Sequence, residues 1–202
     1  MGAHALVLQA RGHKVTALDL IPETVRVMQE RGVEDARKGT LFELPSAKVY
    51  DTVILLMNGV MIAETLSRLD RLLAAAARVL EPRGALILDS TDLRDVMHAE
   101  DEGALENKSE NSPESESTHE PENDTQGGRD DDDLYIGELH YQLSVGEHVG
   151  DVFPQLFVDP DTLDAQARRA GWNTEVLWSG PDGRYLARLQ RPVRSVPNDA
   201  AG

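Results

Sequence analysis

The chain of 202 residues predicts an α/β fold, a mostly parallel sheet finished by an antiparallel hairpin. Three observations point there. Short β-prone runs alternate with helix-patterned runs over the first half of the chain, joined by short loops. Two of those runs, Tyr50–Met57 and Ala85–Leu88, are almost continuously apolar, as expected of strands buried on both faces. Near the C-terminus the pattern changes to alternating apolar and polar residues broken by glycines, which reads as antiparallel pairs.

Taken in order, Ala3 to Arg11 is apolar at helical spacing and stops at Gly12. Lys14 to Leu20 is a β-prone run with an acid, Asp19, at its end. Pro22 sits where a first helical turn tolerates proline, so a helix is expected through Gln29, closed by Gly32. Ala36 to Leu44 reads as a weak strand and loop, and Thr65 to Leu80 as an alanine- and leucine-rich helix ended by Glu81-Pro82-Arg83-Gly84. Ala85–Leu88 then runs into Asp89-Ser90. Further on, Tyr135–Val145 and Asp151–Val158 form an antiparallel pair around Gly146 and Gly150. A helix spans Pro160–Ala170, with Asp159 as N-cap and Gly171 as stop. Thr174–Trp178 and Tyr185–Leu189 close the fold as a hairpin around Gly180-Pro181-Asp182-Gly183. Trp172 and Trp178 are expected to pack the C-terminal helix on the sheet.

Between His98 and Asp133 stand 14 acidic residues against two basic ones, out of 36 and 20 in the whole chain. Elsewhere 22 acids face 18 bases, so the formal net charge of −16 belongs largely to this one segment. Its Glu, Ser, Asn, Asp and Pro content, without aromatic or β-branched apolar residues, is that of a disordered insertion. Four parts follow: 1–97 and 134–190 as two halves of one domain, 98–133 as the acidic insertion, and 191–202 as a frayed tail. The insertion is foremost a solvated connection, and secondarily a tether for a basic protein partner.

Composition narrows the function. The absence of cysteine removes thiolate metal sites and a cysteine nucleophile, and fits a reducing, cytoplasmic setting. Six scattered histidines have no metal-ligand spacing. No apolar run approaches ~20 residues, so no membrane span is expected. The near-neutral remainder argues against a broad nucleic-acid surface and favours a small-molecule substrate. An acid placed like Asp19 is suited to accept from both hydroxyls of a nucleotide ribose; the plain alternative is a carboxylate capping the helix behind Pro22. Asn58-Gly59 reads equally as a simple turn.

The run GAHALVLQARGHKVTALDLIPETVRVMQERGV, followed by KGTLFELP, YDTVILLMNG and LEPRGALILDS, resembles class I S-adenosylmethionine-dependent methyltransferases. The similarity begins at the last glycine of that family's D-x-G-x-G-x-G loop, covers nearly all of residues 2–95, and extends to the C-terminal helix and hairpin. It implies a Rossmann-like methyltransferase fold, S-adenosyl-L-methionine as cofactor and methyl transfer as the reaction. Gly2 would then be the final loop glycine and Asp19 the ribose ligand. Leu20 would pack on the adenine or ribose, and Thr40 and Leu41 would lie beside the adenine. Asn58 and Gly59 would border the methionine moiety and the acceptor. Thr40 departs from the acid found at that position in many relatives, and Arg83 replaces the first glycine of the L-x-P-G-G turn.

The family's first strand, central in its sheet, and the glycines ahead of Gly2 have no counterpart, so the expectation is a chain truncated or misstarted relative to a longer protein. No catalytic residue is assigned; Asp92, His140, Tyr141 and His148 are candidates only for the acceptor pocket's border. Two rival functions stay open at this level. One is an NAD-dependent oxidoreductase, in which Asp19 would serve as well. The other is a degenerate, non-catalytic fold acting as an acidic interaction module.

Overall fold

The computed structural model describes residues 1–94, 135–146 and 148–192. The acidic segment 98–133 and most of the 191–202 tail lie outside the described residues.

Two apolar cores organise the chain. The smaller one forms around α1 (Ala3–Ala10), β1 (Thr16–Asp19), α2 (Pro22–Glu30) and β2 (Asp35–Lys38). Pro22 opens α2, and Val25 and Met28 of that helix meet Ala5, Val33 and Ala36. β1 and β2 pair in parallel, from Thr16 opposite Asp35 to Asp19 opposite Lys38.

The larger core is built on β3 (Tyr50–Leu55), α3 (Leu69–Val79), β4 (Leu80–Thr91), α4 (Pro160–Arg169), β9 (Asn173–Ser179) and β10 (Arg184–Gln190), in the sheet order β3-β4-β10-β9. β3 and β4 are parallel, whereas β10 runs antiparallel to both β4 and β9. Leu69, Leu72, Leu73 and Ala76 recur at helical spacing on α3 and are fully buried with Leu86 and Leu88 of β4. A 3-10 turn at Leu41–Glu43 leads from the small sheet toward the large core, where Leu41 is buried. There the Phe42 carbonyl accepts from Arg78 Nη2 at 3.0 Å, and the Arg71 guanidinium lies 4.9 Å from the Phe42 ring centre.

Between β4 and α4 lies a separate antiparallel pair, β5 (Glu138–Tyr141) with β8 (Phe153–Leu156), extended by the short β6 (Ser144–Val145) and β7 (His148–Val149). Leu66 N–H donates to Glu138 Oε1 at 2.6 Å and ties this pair to the start of α3.

Three expectations are corrected. β3 is not covered on both faces: Asp51, Thr52 and Ile54 are exposed. The reason is its pairing, since β4 is its sole partner and no strand lies between β1 and β3 among the described residues. The helix expected over Thr65–Leu80 begins as a 3-10 turn, Leu66–Arg68, and Leu80 already belongs to β4, which continues through Glu81–Gly84. Trp172 is buried as expected, but Trp178 is 53% exposed. It lies at the hairpin end of the edge strand β9, and its ring rests by Gly180 rather than under α4.

Asp159, buried at 3% exposure, gathers several elements. Its Oδ1 caps α4 by accepting from the Asp161 and Thr162 N–H groups at 3.0 Å, and its Oδ2 accepts from the Tyr135 hydroxyl at 2.6 Å. Arg94 reaches it at 3.3 Å while pairing with Asp92 and Asp161. Burial works against the Asp159 charge, but Tyr135, the Thr162 donors and Arg94 outweigh it and hold its pKa below the usual range. The Arg94 guanidinium lowers Asp92 in the same direction. Burial, together with the hydrogen bond to Asp159, pushes the Tyr135 hydroxyl up to about 12, and burial raises Tyr185 as well.

The signs set a stability window. The two depressed carboxylates contribute stability that is present above their unfolded value of ~3.9 and lost as pH falls below it. The raised tyrosines contribute below ~10, a contribution lost as pH climbs toward the folded value. Urea unfolding across pH is therefore expected to show a plateau from about pH 5 to 9 with losses on both sides. Tyr135→Phe should flatten the alkaline limb, and an unchanged limb would refute the assignment.

Candidate functional site

Apart from Gly2, the candidate residues stand at the C-terminal ends of the parallel strands, where side chains and loop amides are not consumed by the sheet. They fall into two groups.

The first group stands at the ends of β1 and β2. Asp19 Oδ1 accepts from the Ile21 N–H at 2.9 Å, but Ile21 is itself the N-cap of α2 and the helix has no side-chain cap, so Asp19 shapes the turn before α2 and does not cap it. Its second carboxylate oxygen has no partner among the described residues, and Asp19 is partly exposed next to Leu20, itself 60% exposed. The Asp19 carbonyl accepts from the Gly39 N–H at 3.0 Å and holds the next loop alongside. In that loop the Thr40 N–H donates to Glu43 Oε2 at 2.9 Å, and the Thr40 carbonyl accepts from the Glu43 N–H at 3.1 Å. The Leu41 side chain points into the large core at 5% exposure, so only its backbone can face a ligand.

Gly2 is the N-cap of α1, with φ of 72°, and a Cβ there would meet Val33 and Met28 at 3.0 and 3.1 Å. It thus packs against the finish of α2, where the chain turns into the start of β2, whereas Asp19 stands at the other end of the β1–β2 pair; the expected placing of Gly2 beside the ribose ligand is corrected.

The second group stands at the ends of β3 and β4. Asn58 has φ of 56° and follows Met57, at 69°, so two consecutive non-glycine residues are left-handed. Asp89 accepts from both flanking amides, Met57 N–H at 3.1 Å and Gly59 N–H at 2.8 Å. Thr91 Oγ1 donates to Asn58 Oδ1 at 2.8 Å. Sequence reasoning selected Asn58 and Gly59 but saw Asp89 only as a strand end. The available signal was an acid at the end of one apolar strand matched to an Asn-Gly at the end of another.

The residues considered for the acceptor border are less concentrated. His140 and His148 are exposed on the small antiparallel pairs. The Tyr141 ring stacks 6.4 Å from that of Phe153. Asp92 is engaged by Arg94 at 2.6 Å and is not free to act as a base. Among the described residues no group of three or more His, Asp or Glu side chains is placed to hold a metal, and no helix is long and apolar enough to cross a membrane.

A family model described as a methyltransferase domain matches residues 1–88. An S-adenosylmethionine-dependent methyltransferase from Bacteroides fragilis, solved with S-adenosyl-L-homocysteine, is 31% identical; the match covers 94% of this chain and 68% of that one, with a TM-score of 0.70. CalS10, an amino pentose methyltransferase from Micromonospora echinaspora involved in calicheamicin biosynthesis, is 18% identical over 95% of this chain and 79% of that one, TM-score 0.55. The sugar N-methyltransferase KedS8 from Streptoalloteichus is 16% identical over 95% and 76%, TM-score 0.56. The last two show likeness of fold alone. No curated protein sequence matches the chain.

Proposed function

Because this chain belongs to the S-adenosylmethionine-dependent methyltransferases, we propose that it methylates a small-molecule acceptor, with cofactor held at the strand ends by Asp19, Leu20, Thr40, Leu41, Asn58 and Gly59. The observation that carries the site is Asp19: one oxygen holds the Ile21 amide ahead of α2 and the other has no partner among the described residues, at the end of β1.

The residues present suit the cofactor. Asp19 offers a charged acceptor for ribose hydroxyls, and exposed Leu20 offers an apolar surface for a ring. The Thr40 hydroxyl and Leu41 backbone would flank the adenine. The Asn58 amide nitrogen would donate to the methionine part or to the acceptor. When bound, S-adenosylmethionine supplies an electrophilic methyl on sulfur, and positioning does most of the remaining work. No side chain is assigned as a base, and an acceptor that is already nucleophilic requires none.

A small-molecule acceptor is supported by the near balance of acids and bases outside residues 98–133. An acid like Asp19 would serve a dinucleotide equally well, so family membership, not this residue, decides against the oxidoreductase reading. The acidic insertion as a tether for a basic protein remains a secondary proposal.

Calorimetry with S-adenosylhomocysteine tests the site, on this chain and on a form carrying any residues encoded upstream. Asp19→Ala should weaken binding by about 10- to 100-fold, the value of a hydrogen bond to a charged group. Asp19→Asn, which keeps an oxygen for Ile21, should lose less. Absence of binding by both wild-type forms would sink the enzyme reading and favour the interaction module.

A further inference from the structure

We infer that Asp89 and Thr91 are positioning residues, which clamp the Met57-Asn58-Gly59 loop and aim the Asn58 amide at the bound ligand. This rests on the cofactor site proposed above.

The two residues are i and i+2 on β4, so their side chains leave the same face of the strand. The parallel register, Leu55 opposite Leu88, brings them beside the loop that leaves β3. Asp89 spends both oxygens on that loop: Oδ2 accepts from Met57 N–H at 3.1 Å and Oδ1 from Gly59 N–H at 2.8 Å. Two adjacent left-handed residues with side chains are disfavoured unless something holds them. Here one carboxylate binds the amides on either side of Asn58 and closes the loop into a single shape. Gly59 completes it, because a Cβ at that position would lie 2.6 Å from Leu55 Cβ.

Thr91 then sets the direction of the side chain. Its hydroxyl donates to Asn58 Oδ1 at 2.8 Å, and with the oxygen held by Thr91 the Nδ2 end of the amide is left for another partner. Asn58 Nδ2 has no partner among the described residues, although the residue is only partly exposed. Two N–H donors are thus presented at the end of β3 with their orientation fixed from the neighbouring strand. A loop that merely turned the chain would need Asp89; it would not need Thr91 to select one face of an amide.

The first test is a double-mutant cycle on S-adenosylhomocysteine affinity, read by calorimetry. Thr91→Val keeps the shape and removes the donor; it should weaken binding about tenfold, as a lost hydrogen bond does. Asn58→Ala should weaken it at least as much. The double variant should be no weaker than Asn58→Ala alone, because Thr91 acts through Asn58. A full, additive Thr91→Val penalty in the Asn58→Ala background would overturn the role of Thr91.

The second test needs no ligand. Hydrogen exchange on the free protein should show protected Met57 and Gly59 amides, and Asp89→Asn should speed both about tenfold or more while leaving β4 amides unchanged. Unchanged exchange at Met57 and Gly59 would overturn the clamp. If the wild-type protein bound no S-adenosylhomocysteine, the proposed function and the aim of Asn58 would both fall, and the exchange result would still judge the clamp by itself.

Discussion

Asp159→Ala is expected to lower the unfolding free energy by about 3–4 kcal/mol, one of the two largest single-residue effects argued from this fold. Two losses add. The α4 cap disappears, leaving the Asp161 and Thr162 N–H groups without their 3.0 Å acceptor, at about 1 kcal/mol. The Tyr135 hydroxyl loses a charged acceptor at 2.6 Å, worth about 1.5–3 kcal/mol. The Arg94 ion pair counts for little beside these. Its guanidinium is 42% exposed, and it keeps Asp92 and Asp161 as partners.

For a domain of this size the loss corresponds to a fall in Tm of roughly 10 °C. Asp159→Asn retains an oxygen for the cap and should cost about a third as much. Urea denaturation reads both, with Asp161→Ala as the reference, since Asp161 is an exposed member of the same cluster. If Asp159→Ala cost no more than Asp161→Ala, the view of Asp159 as the tie between Tyr135 and α4 would be wrong.

Gly137→Ala should be about as damaging, near 3 kcal/mol, at the upper end of what overpacking costs. The Gly137 carbonyl accepts from the Phe157 N–H at 2.8 Å, and an added Cβ would lie 1.8 Å from the Phe157 carbonyl oxygen and 2.7 Å from the Tyr135 ring. Neither neighbour yields easily, because one is backbone and the other is held by Asp159. The strand pair would have to separate at its start.

Gly12→Ala is the fitting comparison: there the φ of 87° strains a side chain, yet nothing lies within 4 Å of the new Cβ. That strain alone costs about 1–2 kcal/mol. Urea midpoints should place Gly137→Ala clearly below Gly12→Ala, and the reverse order would show that the chain relaxes around Phe157.

Features fixed by local chemistry were legible in the sequence. Pro22 opens α2, Asp159 caps α4, and the glycines of the antiparallel pair fall where the chain turns. Features set by distant partners were not. The apolar run of β3 reads as doubly buried whether or not a strand flanks it on both sides, so the exposure of Ile54 could not be foreseen. Trp178 resembles Trp172 in composition and differs only in its place on an edge strand. The site shows the same division. Asp19 was legible as an acid ending a β-prone run before a helix, and the structure adds that one of its oxygens is already committed. The contact of Thr91 with Asn58 spans 33 positions and exists only because β3 and β4 pair in a particular register.

The separation of the small core from the large one has a consequence for how the molecule opens. Among the described residues Ala5, Val25, Met28, Val33 and Ala36 are its buried apolar set, and they support a two-stranded sheet, an arrangement of marginal stability by itself. This unit should therefore unfold reversibly at a lower free energy than the sheet around α3, as a local foldon. A ligand gripping Asp19 stabilises that weakest unit first, so occupancy is written chiefly into the order of residues 1–39.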